Sequence, residues 1–243
     1  MEKFQLWGTV VNAAVVILGA TLGLLVHLLA GRNKTPKEGK RNLGGDLSSA
    51  VMTGLAFCAF LIGVQGALKA QNILVVILSM AIGAAIGTLL DLDGKIVRLG
   101  DWVGKRVGSR FGNVSEGFVS ASLLFCVGAM AVTGSLESGL SANHATLYAK
   151  SAMDFVAAIV FASTMGFGVM LSAASVLLYQ GTITLLSTFI QPYLSEAVIV
   201  EMGAVGALLV VGVATNMVGL TKFKLMNHVP AIFLPILLLP LMG

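Results

Sequence analysis

From Phe155 to Ser195 the chain carries no Asp, Glu, Lys or Arg. Roughly forty uncharged residues are about twice what one helix needs to cross a ~30 Å hydrocarbon core. The stretch is too long for one straight span and long enough for two short ones joined by a tight turn. Gly166, Gly168 and the Ser172–Ser175 stretch are the places where it can turn or unwind. Other uncharged runs cover Phe4–Gly31, Leu47–Leu68, Ala70–Leu90, Gly117–Leu136, Met202–Thr221 and Leu225–Gly243. The expectation is an all-α, polytopic transmembrane bundle of about eight segments, or seven if 155–195 crosses once. Residues 1–243 then form a single transmembrane domain. The first run is longer than a signal-peptide core and lacks a small-x-small cleavage site, so it is read as a retained helix.

Charge is scarce, at 11% of residues against 57% hydrophobic, and it is clustered. Arg32, Lys34, Lys37, Lys40 and Arg41 follow the first run. Lys95, Arg98, Lys105, Arg106 and Arg110 follow the third, while the connections after the second and fourth are poor in basic residues. Basic loops mark the cytoplasmic side, which places the N-terminus outside. Two crossings within 155–195 also bring Lys222 and Lys224 inside, and one crossing would not; the charge rule therefore favours eight segments with the C-terminus outside. The net charge of +4 belongs to this orientation signal and does not point to nucleic acid. Within 91–116, Ile96, Val97, Leu99, Trp102, Val103 and Val107 recur near helical spacing among basic residues. That pattern suits an amphipathic helix lying at the interface, either as a plain connector or as a contact for lipid or a partner.

An internal repeat is visible. Gly19-x-x-x-Gly23 is matched by Gly83-x-x-x-Gly87. Phe57-Cys58 precedes Gln65-Gly66, and Phe125-Cys126 precedes Thr133-Gly134-Ser135 at the same spacing. Tyr179-Gln180-Gly181 is a weaker third copy. The chain reads as two-helix units near 4–69, 70–139 and 151–195, with a final helix pair at 197–243. Gly-x-x-x-Gly means close helix packing first. The polar-Gly step is more specific: glycine permits unwinding, and a neighbouring Gln or Thr can then face a cavity at a repeat interface.

Polar groups inside a bilayer are costly and ask for a partner or a cavity. The densest group is Glu137, after the Thr133-Gly134-Ser135 step, with Lys150 and Asp154. The last two are four apart and share a helical face, at the start of the fifth segment. Asn12 in the first segment can join them, and Asn216, with Thr215, interrupts the seventh at mid-depth. One reading is a pocket for a polar solute or ion, with Glu137 or Asp154 as a proton-coupling carboxylate. The other is a set of interfacial residues capping helix ends in outer water. For Asn12 and Asn216, interhelical hydrogen bonding without substrate is the plainer reading; Gln65, Gln180 and Tyr179 stand between. His27, His144 and His228 lie far apart, Cys58 and Cys126 sit in apolar runs, and no metal-ligand spacing occurs. No nucleotide loop, zincin motif or nucleophile elbow is present, so neither enzyme activity nor a cofactor is expected.

Gly8-Thr9-Val10-Val11-Asn12, Gly19-x-x-x-Gly23, Phe125-Cys126 through Gly134-Ser135-Leu136-Glu137-Ser138-Gly139, and Lys150-Ser151-x-x-Asp154 through Tyr179-Gln180-Gly181 together resemble the YqgA/YdfK-like family of bacterial membrane proteins. The resemblance covers nearly the whole chain. It implies a multi-pass protein of the bacterial cytoplasmic membrane and brings no biochemical role. The leading expectation is a secondary transporter or channel for a small polar solute or ion. A non-transporting scaffold or subunit of a larger membrane complex is the alternative, and a lipid-acting enzyme a distant third. The partners expected are the lipid bilayer and that solute or ion. The Gly-lined faces also suit a homodimer.

Overall fold

The computed structural model describes residues 4–31, 43–107 and 114–242. Arg32, Lys34, Lys37, Lys40, Arg41 and Arg110 lie outside the described residues. Among those described there is no strand. The chain builds α1 (Trp7–Gly31), α2 (Leu43–Ala67), α3 (Ile73–Leu89), α4 (Leu92–Val107), α5 (Val114–Cys126) and α6 (Ala129–Ser141). It continues with α7 (Ala145–Met165), α8 (Gly168–Leu185), the short α9 (Ser187–Ile190), α10 (Glu196–Met217), a 3-10 helix (Leu225–Phe233) and α11 (Pro235–Met242). Among the described residues five helices are long and apolar enough to cross a membrane, and up to eight spans result if each bent pair is one. The protein is a polytopic transmembrane helical bundle.

The break in the 155–195 run falls at Gly166, whose φ of 78° is a conformation that glycine adopts without a Cβ penalty. The Ser172–Ser175 stretch stays helical inside α8. The segment before that break starts earlier than the uncharged run suggests. Because α7 begins at Ala145, Lys150 and Asp154 stand within the helix and not at its start. An ion pair can be carried along a helix face, so charge alone did not mark the helix boundary. The fourth run is two helices: α5 and α6 meet at a 62° bend around Gly128, φ 120°. Unwinding therefore occurs at Gly128, while Gly66, Gly134 and Gly181 of the polar-Gly steps lie inside α2, α6 and α8. The last run bends by 47° between the 3-10 helix, which contains Pro230, and α11.

α3 is 17 residues long, about 25 Å at 1.5 Å per residue, and is started by the Asn72 side chain accepting from the Leu74 and Val75 N–H groups. α4 leaves it at 55°, carrying Val97, Leu99 and Trp102 exposed among charged residues. Arg106 stacks over Trp102, 4.3 Å from the ring centroid, and Arg98 pairs with Asp91. α4 is an amphipathic helix, as expected within 91–116.

Glycines set the helix pairs. At Gly19 and Gly23 of α1, a Cβ would collide with the Phe155 and Ile159 carbonyls of α7. At Gly83 and Gly87 of α3 it would collide with Ala231 and Asn227 of the 3-10 helix. Both Gly-x-x-x-Gly pairs thus seat another segment's backbone, as close packing in lipid requires. α2 lies on α10 through Gly63 and Gly66, and α5 lies on α8 through Gly168. Among the described residues two large apolar cores result, beside a small third cluster of Ala59, Val210 and Ala214 between α2 and α10. One is formed by α1, α5, α7 and α8; the other surrounds α10 and includes Val76, Leu136, Ile183 and Ile232. Of the five long spans α10 is the most buried and α2 the least, with Phe57, Phe60, Leu61 and Ile62 turned outward to lipid.

Gly23→Val should lower the thermal midpoint of the detergent-purified protein, by at least the ~1–3 kcal/mol typical of overpacking, because the obstacle is backbone. Gly54→Ala, where a Cβ meets nothing within 4 Å, should leave it unchanged. Equal melting of both variants and wild type would contradict the α1–α7 seat.

Candidate functional site

Three helices bring one polar group of side chains together. On α1, Thr9, Asn12 and Val16 recur every three or four residues and are buried. The face of α7 that meets them carries Leu147, Lys150, Ser151, Asp154 and Ala158. α8 contributes Gln180 and Thr184, one turn apart. Asn12 and Gln180 are wholly buried, and the Asn12 Nδ2 donates to Gln180 Oε1 at 3.3 Å. The Lys150 Nζ donates to Asp154 Oδ2 at 2.5 Å, with the two side chains 7% and 9% exposed. The Asn12 carboxamide lies beside the Asp154 carboxylate. Cys126, the last residue of α5 before the Gly128 break, is within electrostatic reach of both charges.

Two polar atoms of this group lack a partner: Asn12 Oδ1 and Gln180 Nε2. Turning both amides over leaves the same balance, one donor and one acceptor, since each carboxamide offers both. Buried groups of this kind are normally satisfied, and an unmet one costs about 1–3 kcal/mol. The ion pair is also confined to its own helix, with no hydrogen bond to backbone among those of the described residues.

A polar ladder closes the end of the bundle nearest the start of α1. Thr9 and Thr184 share a hydrogen bond, and Thr184 Oγ1 reaches the Ser135 carbonyl of α6. Gln5 Nε2 donates to the Gly139 carbonyl, Ser138 Oγ donates to the Gln5 carbonyl, and Ser138 shares a 2.8 Å hydrogen bond with His144 Nδ1. Glu137 is half-buried and accepts from Thr146 Oγ1 at 2.7 Å. Thr146 precedes Lys150 by one turn, so Glu137 sits at the mouth of the same α7 face.

The remaining expected residues fall elsewhere. Ser135 is buried, its hydroxyl turned back to the Ala131 carbonyl, and Thr133 is half-buried on α6. Gln65 is exposed near the end of α2. Tyr179 packs beside Phe233, ring centroids 6.0 Å apart, and against the α10 core. Asn216 is not at mid-depth: it lies at the end of α10, where it binds the Phe223 N–H and carbonyl and Thr221, closing a loop.

Sequence reasoning passed over Glu201. It is buried on α10, and its Oε1 accepts the N–H groups of Gln71 and Asn72, each at 2.7 Å, which fixes the α2–α3 connection. Its Oε2 has no partner. The signal was present: Ser195 caps α10 through the Val198 N–H, so the helix starts before Glu201 and takes that residue into the bundle. Among the described residues no group of three or more His, Cys, Asp or Glu side chains is placed to hold a metal ion.

Lys150→Met should cost about 3–5 kcal/mol by stranding Asp154, and Asp154→Leu a similar amount by stranding Lys150. The double variant should cost less than their sum, as read by denaturant unfolding in mixed micelles; additivity would show that the pair does not interact. Glu201→Ala should cost about 1–3 kcal/mol and speed amide exchange at Gln71 and Asn72, whereas Glu201→Gln, which keeps an acceptor, should protect them.

The chain matches the family model described as "Protein of unknown function (DUF554)" over residues 7–240. It is similar to the "Uncharacterized membrane protein YdfK" of Bacillus subtilis (strain 168), 25% identical over 95% of this chain and 94% of that protein. It is also similar to the "Uncharacterized protein YqgA" of Escherichia coli (strain K12), 26% identical over 93% of each. No solved structure matches.

Proposed function

Since the chain belongs to the DUF554 family of membrane proteins, whose description brings no activity, we propose from its geometry that it is a secondary transporter for a small polar solute or ion in the bacterial cytoplasmic membrane. The observation that carries this reading is the buried group of Asn12, Lys150, Asp154 and Gln180, held between α1, α7 and α8 beside a broken helix. This group leaves a donor and an acceptor open beside a buried ion pair. Discontinuous helices near buried polar groups are the usual furniture of transporter sites.

The orientation follows from the basic residues of the loops: N-terminus outside, with Lys222 and Lys224 inside. The polar group then lies in the outer half, and Glu137 stands between it and outer water. The matched use of Gly19/Gly23 and Gly83/Gly87 supports two-helix repeats, and movement of one unit against another supplies the means of alternating access. A scaffold without transport is the competing reading, favoured by the exposed Trp102 and Arg106 of α4 as a contact surface.

Thermal unfolding of the purified protein against small metabolites and ions tests the choice. A solute at ~100 times its dissociation constant should stabilise the fold by ~2.7 kcal/mol. That gain should vanish in Asn12→Ala and in Asp154→Asn, and the same solute should accumulate in proteoliposomes. No stabilising solute, with variant and wild-type responses alike, would favour the scaffold.

A further inference from the structure

Resting on the transport reading, we infer that the Asn12–Lys150–Asp154–Gln180 site takes a zwitterion: a small solute that carries one ammonium and one carboxylate and no net charge. Among the described residues the buried charged side chains are Lys150, Asp154 and Glu201, and Glu201 is occupied on α10 by the start of α3. The site therefore contains one positive and one negative group, which sum to zero. An anion that took Lys150 from Asp154 would leave the carboxylate buried and unpaired. A cation that took Asp154 would strand Lys150 in the same way. A zwitterion strands neither, because its carboxylate meets the Lys150 ammonium while its ammonium meets the Asp154 carboxylate. One internal ion pair is exchanged for two.

The pair is built for such an exchange. Both members stand one turn apart on α7, and the lysine ammonium rides on a flexible four-carbon stem. The amides complement the same ligand. Asn12 Oδ1 is an unpartnered acceptor, suited to an ammonium N–H, and Gln180 Nε2 is an unpartnered donor, suited to a carboxylate oxygen. Space is left beside them. Gly181 is buried, yet a Cβ there would meet one atom, Leu6 Cδ2, at 3.9 Å. The packing glycines of α1, by contrast, leave no room for a methyl group. The open glycine beside Gln180 argues for a ligand of amino-acid size with a small side chain.

The test uses the full-length protein in detergent and a panel in matched sets: each amino acid, the carboxylic acid that lacks its amino group, and the amine that lacks its carboxyl group. Alanine, propionate and ethylamine form one such set. The expected result is a rise in melting temperature with at least one amino acid, and at least tenfold weaker apparent affinity for its matched acid and amine. The rise should be lost in Asn12→Ala and in Gly181→Leu. The second variant fills the open space without touching a charge, and its melting temperature without solute should stay near that of wild type. Equal binding of an acid or an amine would overturn the zwitterion assignment and leave a polar-solute site standing. Binding only of inorganic ions or uncharged solutes, lost in Asn12→Ala, would do the same. No binding by any member of any class would overturn the assignment together with the transport reading on which it rests.

Discussion

Inside a bilayer there is no water to answer an unmet N–H or C=O, and the protein is organised by that constraint. It dictates helices throughout the described residues and makes every interruption of a helix an event that needs a local remedy. Two remedies use glycine backbone: Gly128 and Gly166 take positive φ values at the α5–α6 and α7–α8 junctions. A third is a side-chain cap, Asn72 at the start of α3, which is itself held in place by Glu201 from α10. The lipid environment also removes the hydrophobic drive for helices to associate with one another, so contact comes from close approach. That is why glycines sit where α1 meets α7, where α2 meets α10 and where α3 meets the 3-10 helix.

The same constraint separates the polar residues into those that hold the fold and those that remain open. Thr9, Thr184, Ser138, His144 and Gln5 answer one another, or carbonyls at the ends of helices, across four helices. Asn216 spends both ends of its carboxamide on Phe223. These groups bind the bundle together and have little to offer a ligand. Asn12 and Gln180 are equally buried, yet each keeps one polar atom without a partner. His144 and Glu201 also keep one buried polar atom without a partner, so what sets Asn12 and Gln180 apart is that their open atoms lie beside a buried ion pair, Lys150–Asp154.

Much of this was legible in the residues. Long uncharged runs showed the membrane spans, and glycine at 166 showed the turn. The four-residue spacing of Lys150 and Asp154 pointed to their pairing, and Asn12 was placed with them. What was not legible has a physical reason. Charge density misplaces helix ends when a charged pair is buried and self-compensating, so α7 begins well before the uncharged run. A helix break at Gly128 leaves no mark in hydropathy, because both halves are apolar. Gln65, Thr133 and Gln180 stand in similar local sequence beside glycine, yet Gln65 faces outward and Gln180 faces α1. That difference belongs to tertiary packing, which a local polar-Gly pattern does not encode.

The two buried carboxylates show how the fold assigns unlike roles to like groups. Glu201 is gripped by two backbone N–H groups of a short connection. Moving it would release the start of α3, so it acts as a fixed point between α10 and the α2–α3 turn. Asp154 is held by a lysine from its own helix, a flexible side chain. A carboxylate fastened to backbone is suited to hold a structure still, whereas one fastened to side chains is suited to change partners. Asp154 lies where α1 and α8 leave an open donor, an open acceptor and an uncrowded glycine, and Glu201 lies against the other core. The division follows from what each carboxylate touches: Glu201 is tied to backbone N–H groups on the α10 side, and Asp154 to a side chain on the α1–α7–α8 side.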